Sequence, residues 1–207
     1  TVLVNAEVDH KKLTDKELYG IMSLIVSAGF STGVQMLNNG VIQLSRRPEL
    51  VAKLKKSPEL VPAFIEELLR FSPSGIGTMR ITTEPVVLAN VTIPKGEMVM
   101  ALIASANRDP HRFSNPDDFD LFRPNTKRHM TFGHGIHNCI GAALARLELK
   151  VAFDVLLQEF DTFSCPPHED LVWEESFFVH GVSELPVQFS KTKIVVQEEV
   201  WTGLTNK

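Results

Sequence analysis

Apolar residues recur at helical spacing from position 18 to position 44 with no proline between them, so the pattern predicts one helix of nearly thirty residues. Thr14 and Glu17 stand three apart in the T-x-x-E form of a capping box, with Leu13 and Leu18 placed as its flanking staple. The helix is therefore expected to start at about Asp15. Its middle reads SAGFSTG, and each interior glycine costs about 1 kcal/mol relative to alanine. Gly29 and Gly33 thus mark either close helix packing or a ligand lying against that face. Two shorter helices follow over residues 48–55 and 58–71, each with a proline near its first turn. The β-rich segments VVLANVTI and EMVMALIA, joined by Pro94-Lys95-Gly96, read as the two strands of a hairpin. ANRDPHRFSNPDDFDLFRP is dense in Pro, Asn and Asp and reads as an ordered loop in need of anchoring. Residues 140–160 form a strongly amphipathic helix, 171–189 return to strand and loop, and 190–207 read as a flexible tail. The expected fold is mainly α with small β-sheets.

A chain of 207 residues with 43% hydrophobic content can bury a sizeable core. Its 21 basic and 25 acidic residues give a net charge of −4, so no global basic field attracts nucleic acid or an anionic membrane. Two cysteines, Cys139 and Cys165, do not make a disulfide framework and suit a reducing, cytoplasmic setting. No signal peptide and no twenty-residue apolar span is visible. The chain opens on TVLVNAEVDH without an initiator Met, which reads as the middle of something and leaves room for an anchor upstream.

FGHGIHNCIG, residues 132–141, places Cys139 in a glycine-rich turn just ahead of a helix. A thiolate is the reactive and ligating form of cysteine, and the free N–H groups of a helix start favour an anion. Gly133 and Gly135 permit backbone angles closed to other residues, and Gly141 removes a side chain from the first helical turn, so a flat body can approach the sulfur. A single anionic sulfur facing a flat partner describes a haem iron with an axial thiolate. Three alternatives stand beside it. A zinc site would use His134, His137 and Cys139, but no second ligand pair with finger-like spacing follows. A cysteine nucleophile with a histidine base needs no glycine-lined approach. A buried structural cysteine leaves the glycines and His137 unexplained.

At these residues the sequence resembles the cytochrome P450 family. The cysteine-loop pattern F-x-x-G-x-H/R-x-C-x-G is matched by Phe132, Gly135, His137, Cys139 and Gly141, and the helix continues AALAR. The resemblance implies haem b held between a long distal helix and the cysteine-loop helix. Cys139 would be the axial ligand, His137 would bond a propionate, and Phe132 would pack over the loop. E-x-x-R falls at Glu67 and Arg70, and FDLFRP supplies Arg123 as the third member of a buried triad. Arg80 matches a second propionate-binding arginine. The long helix resembles the family's distal helix, whose A/G-G-x-D/E-T is read here as Ala28, Gly29, Phe30, Ser31 and Thr32. Thr32 matches the alcohol that positions water. Ser31 departs from the usual acid, and a hydroxyl can only relay protons through water.

The resemblance covers residues 1–189 but only the C-terminal half of the family's fold, so an N-terminal half is expected to be missing. By resemblance Val26, Phe30, Ile76, Gly77 and Phe178 face substrate, which implies a small hydrophobic organic molecule. Electrons would come from a ferredoxin-type donor and its reductase, for which Lys127, Arg128 and Arg146 offer a basic patch. The activity implied is a monooxygenase of secondary metabolism. Oxidative coupling of aromatic rings, a peroxide-driven variant and a non-catalytic haem-binding fragment are the alternatives that Ser31 and the half-fold raise.

Overall fold

The structure, a computed structural model, describes residues 3–8 and 10–191. A two-residue pair, β1 (Glu7–Val8) and β2 (Lys11–Lys12), precedes the long helix α1 (Asp15–Arg46). The capping box forms: Thr14 Oγ1 accepts the Glu17 N–H at 3.3 Å, and Glu17 Oε2 accepts the Thr14 N–H at 2.8 Å. Next come α2 (Pro48–Lys56) and α3 (Val61–Phe71). Where one helix was expected over 58–71, a 3-10 turn at Pro58–Leu60 leads into α3. Pro62 has no N–H to donate back to Pro58, so the α-helical ladder cannot extend across the turn.

The strands pair differently from the expected hairpin. VVLANVTI is itself a hairpin of β4 (Val86–Leu88) and β5 (Val91–Ile93). Its turn residues Ala89 and Asn90 have φ of 47° and 66°, the two-residue geometry whose twist matches paired strands. β6 (Met98–Ala101) instead returns to pair antiparallel with β3 (Thr78–Ile81). A one-turn helix α4 (Ile103–Ala106), a long loop and α5 (Ala142–Glu159) follow. β7 (Phe160–Ser164) then pairs with β8 (Gln188–Lys191), so the first residues of the expected tail lie in a strand. The rest of that tail is outside the described residues.

The core gathers the C-terminal end of α1 with α2, α3 and α5. Phe64, Leu68, Leu54 and Phe153 are completely or almost completely buried. Phe64 and Phe153 meet edge to face at 5.1 Å. α1 reaches this core through Gly40, where a Cβ would stand 2.1 Å from Phe153 Cζ and 2.9 Å from Leu68 Cδ2. Its buried residues run only from Gln35 to Leu44, whereas Tyr19, Val26 and Phe30 are exposed. By length and composition α1 is apolar enough to cross a membrane, a span not expected from the sequence. Its interior serines, threonine and glycines conceal the run from a scan for continuous apolar residues.

Candidate active site

The cysteine turn is built from backbone bonds. Gly133 N–H donates to Met130 O at 2.8 Å, and Cys139 N–H donates to Phe132 O at 2.7 Å. Between them lies a 3-10 turn, Gly135–His137. Gly133 and Gly135 have φ of 73° and 71°, the left-handed region where glycine carries no steric cost. The turn leaves Cys139 exposed, beside Ile136 and Ile140, each 97% exposed. Cys139 and Cys165 are both free thiols.

The donor set fits a haem iron. Cys139 is a lone soft donor, and among the described residues no group of three His, Cys, Asp or Glu side chains is placed to hold a metal ion, so the zinc alternative of His134, His137 and Cys139 finds no support. A Cβ on Gly141 would sit 3.8 Å from Cys139 Sγ, so a side chain there would fill the space beside the sulfur. Gly135 and Gly29 have open space where a Cβ would go. Apolar, glycine-lined and open, the face suits a flat hydrophobic group bound through one sulfur.

Behind the turn lies a buried charge cluster. Arg70 Nε and Nη2 donate to Glu67 at 2.9 and 2.7 Å, and its remaining N–H groups reach the carbonyls of Asn107, Pro116 and Asp118. All five guanidinium donors are thus satisfied. Arg123 Nε donates to Glu67 Oε1 at 3.2 Å, and its other nitrogens take the carbonyls of Ser114, Asn115 and Asp118. The irregular loop 114–120 is held by two planar forks around one carboxylate, which answers its need for anchoring.

A second network was not foreseen. Glu66 accepts a bidentate pair from Arg146 Nε at 2.5 Å and Nη2 at 3.2 Å, and it lies 3.3 Å from His129 Nε2. Burial alone would raise the Glu66 carboxyl, but the hydrogen bonds and charges of His129 and Arg146 outweigh it and bring the pKa down to about 2. Arg146 also stacks over Phe132, 4.6 Å from its ring centre. The expected basic patch therefore loses Arg146, whose charge is engaged by Glu66, and keeps exposed Lys127 and Arg128. The signal available was a second glutamate within the buried stripe FIEELL, an acid that burial forces to find a partner.

On α1, Thr32 Oγ1 donates to Ala28 O at 2.6 Å, and both Ser31 and Thr32 are half-buried. One turn on, Gln35 acts as a clamp. Its Nε2 donates to Glu174 Oε1 and Val182 O, while its Oε1 accepts the Val182 N–H at 3.0 Å. Asn39 Nδ2 donates to Ser72 O and His180 O. The two segments expected to face substrate bond each other: Ile76 N–H donates to Phe178 O at 3.0 Å, and His180 N–H donates to Ser74 O at 2.7 Å. Burial, with His168 and Arg108 adding to it, pushes the His180 imidazole down. Gly77 packs closely against β6: a Cβ there would meet Met100 Cε at 2.5 Å and Ala101 O at 2.9 Å. Arg80 is exposed on β3, donating to Thr78 Oγ1 and Met79 O. Val26, Phe30 and Phe178 are exposed and Ile76 half-buried.

The sequence profile of the cytochrome P450 family matches residues 1–189. The chain is 43% identical over 190 residues to cytochrome P450 107B1 of Saccharopolyspora erythraea, covering 91% of this chain and 47% of that protein. It is 40% identical to the mycinamicin IV hydroxylase/epoxidase of Micromonospora griseorubida, covering 90% and 48%. The solved structure of cytochrome P450 CYP109Q5 from Chondromyces apiculatus superposes with a TM-score of 0.87 at 38% identity, covering 92% of this chain and 49% of that one. The chain belongs to the cytochrome P450 family and has its fold, mainly α with small sheets. It spans about half the length of the relatives it matches.

Proposed function

We propose that this chain is the haem-binding half of a cytoplasmic haem-thiolate monooxygenase that oxidises a small hydrophobic metabolite, as a tailoring step of secondary metabolism. The observation that carries the reading is the cysteine turn: an exposed thiol on a glycine-lined apolar face, its own N–H fixed by the Phe132 carbonyl. Haem b bound through Cys139 would supply dioxygen chemistry, with the thiolate's electron density favouring O–O cleavage.

The chain's own residues divide the remaining work. Cys139 is the ligand, and the Phe132 bond fixes the direction of its backbone. His137 and Arg80 are the cations that would hold the propionates. Thr32 donates its proton to Ala28 O, so its oxygen keeps lone pairs to accept from a distal water. Ser31 joins that water without titrating, which makes proton delivery depend on a water chain or a substrate hydroxyl. That dependence favours oxidative coupling as the second reading, separable by whether an oxygen atom from dioxygen enters the product. Exposed Val26, Phe30 and Phe178 with Ile76 would form the substrate side. The relative named as a mycinamicin IV hydroxylase/epoxidase supports oxidation of an organic metabolite as the reaction class. Lys127 and Arg128 would meet an acidic ferredoxin-type donor.

The test is the spectrum of the reduced, haem-supplied protein under carbon monoxide. A red-shifted thiolate-carbonyl band that Cys139→Ser abolishes is the expected result. A band unchanged by that substitution defeats the reading.

A further inference from the structure

Glu66 sits one residue before the triad carboxylate, yet it serves a different part of the fold. Its side chain is only 10% exposed and carries three contacts from two elements: Arg146 on α5 and His129 in the loop before the cysteine turn. Thr131 N–H approaches His129 Nδ1 at 3.2 Å, and His129 Nε2 faces Glu66 Oε2 at 3.3 Å. Both ring nitrogens of His129 are thereby engaged. The same imidazole lies 5.9 Å from the Phe132 ring, and Arg146 covers that ring at 4.6 Å. Phe132 is thus flanked by two groups whose positions Glu66 sets, and its carbonyl accepts the Cys139 N–H.

We propose that Glu66, acting through Arg146 and His129, is a positioning residue that holds Phe132 and with it the cysteine turn in the shape that presents Cys139 as a ligand. This rests on reading Cys139 as the haem ligand; the contacts themselves are all between the chain's own residues. Removing the carboxylate charge leaves Arg146 buried on one side without its counterion and frees it to swing toward solvent. The stacked ring then loses its cover, and the Phe132–Cys139 bond opens more often. Glu67 cannot substitute, because both its oxygens are taken by Arg70, Arg123 and the Asp120 N–H.

The test uses the whole chain, as Glu66→Gln and separately as Arg146→Met. Amide hydrogen exchange at Cys139, measured without haem, is expected to run about tenfold faster in each variant, the effect of losing one charge-assisted bond. Exchange within α2 is expected to stay at the wild-type rate. With haem loaded to equal occupancy, both variants are expected to lose a larger share of the thiolate-carbonyl band than wild type as they stand. Two results overturn the proposal: unchanged Cys139 exchange and band in both variants, or acceleration spread evenly over α2, α3 and α5, which marks a general stabiliser. If wild type itself shows no thiolate band, the haem reading fails, and the exchange measurement still decides the role of Glu66.

Discussion

The sharpest consequence of the structure concerns Glu67. One carboxylate pairs with two guanidinium groups, and the side chains of Glu67, Arg70 and Arg123 are 0%, 0% and 2% exposed. Glu67→Gln keeps the shape and one acceptor oxygen but turns an NH2 group toward N–H donors, leaving two buried cations without a counterion. Removing one member of a buried ion pair costs about 3–5 kcal/mol. For a chain of this size each kcal/mol lowers the melting temperature by about 2–4 °C, so a drop of about 6–20 °C is expected. Thermal unfolding followed by far-UV circular dichroism measures it. Proteolysis should also find the 114–118 stretch, because that is the segment whose carbonyls the two arginines hold. A drop below about 3 °C would correspond to roughly 1 kcal/mol and would refute the argument, since a dry cluster cannot lose its only carboxylate so cheaply.

Two further outcomes follow from the geometry. Gly40→Ala gains about 1 kcal/mol of helix propensity but forces a methyl to 2.1 Å from the fully buried Phe153 ring, and overpacking of about 1–3 kcal/mol should win. Denaturant unfolding should show the loss, and Phe153→Leu added to that variant should recover part of it; a variant more stable than wild type would contradict the packing. Glu66, held at about 2 in the folded chain against an ordinary value of 4.5, contributes about 3 kcal/mol that is present above pH 4.5 and lost as the pH falls toward 2. Urea midpoints of wild type and Glu66→Gln should therefore converge across that window, whereas parallel curves would remove Glu66 as the source.

What the sequence disclosed and what it hid divide along the range of the interactions. The start of α1 was legible because Thr14 and Glu17 cap it locally, and its length because no proline interrupts it. The cysteine turn was legible because its chemistry confines glycines, a histidine and the thiol to ten residues. The strand order was not. Ala89 and Asn90 close a hairpin inside a segment that reads as one strand, and β6 finds its partner some twenty residues back, a choice made by tertiary pairing. The Glu66 network was hidden for the same reason. Its partners lie 63 and 80 residues away, so Arg146 looked like a free surface charge on an amphipathic helix.

The two adjacent carboxylates explain how an irregular turn is kept rigid. Neighbouring residues on an α-helix point about 100° apart, so Glu66 and Glu67 leave α3 toward different elements. Glu67 takes the chain entering the turn through Arg123, and Glu66 takes the chain leaving it through Arg146 on α5. Both ends of the loop are thereby referred to one helix, which is itself buried against α1, α2 and α5. Asn107 completes the arrangement from the side: its Oδ1 accepts the Met130 N–H, and its Nδ2 donates to Thr131 Oγ1. The polar restraints sit on the core side of the turn, and the opposite side is left to glycines, Ile136, Ile140 and the thiol. Restrained from the core side in this way, the turn holds the Cys139 thiol out of the core and open on its apolar face.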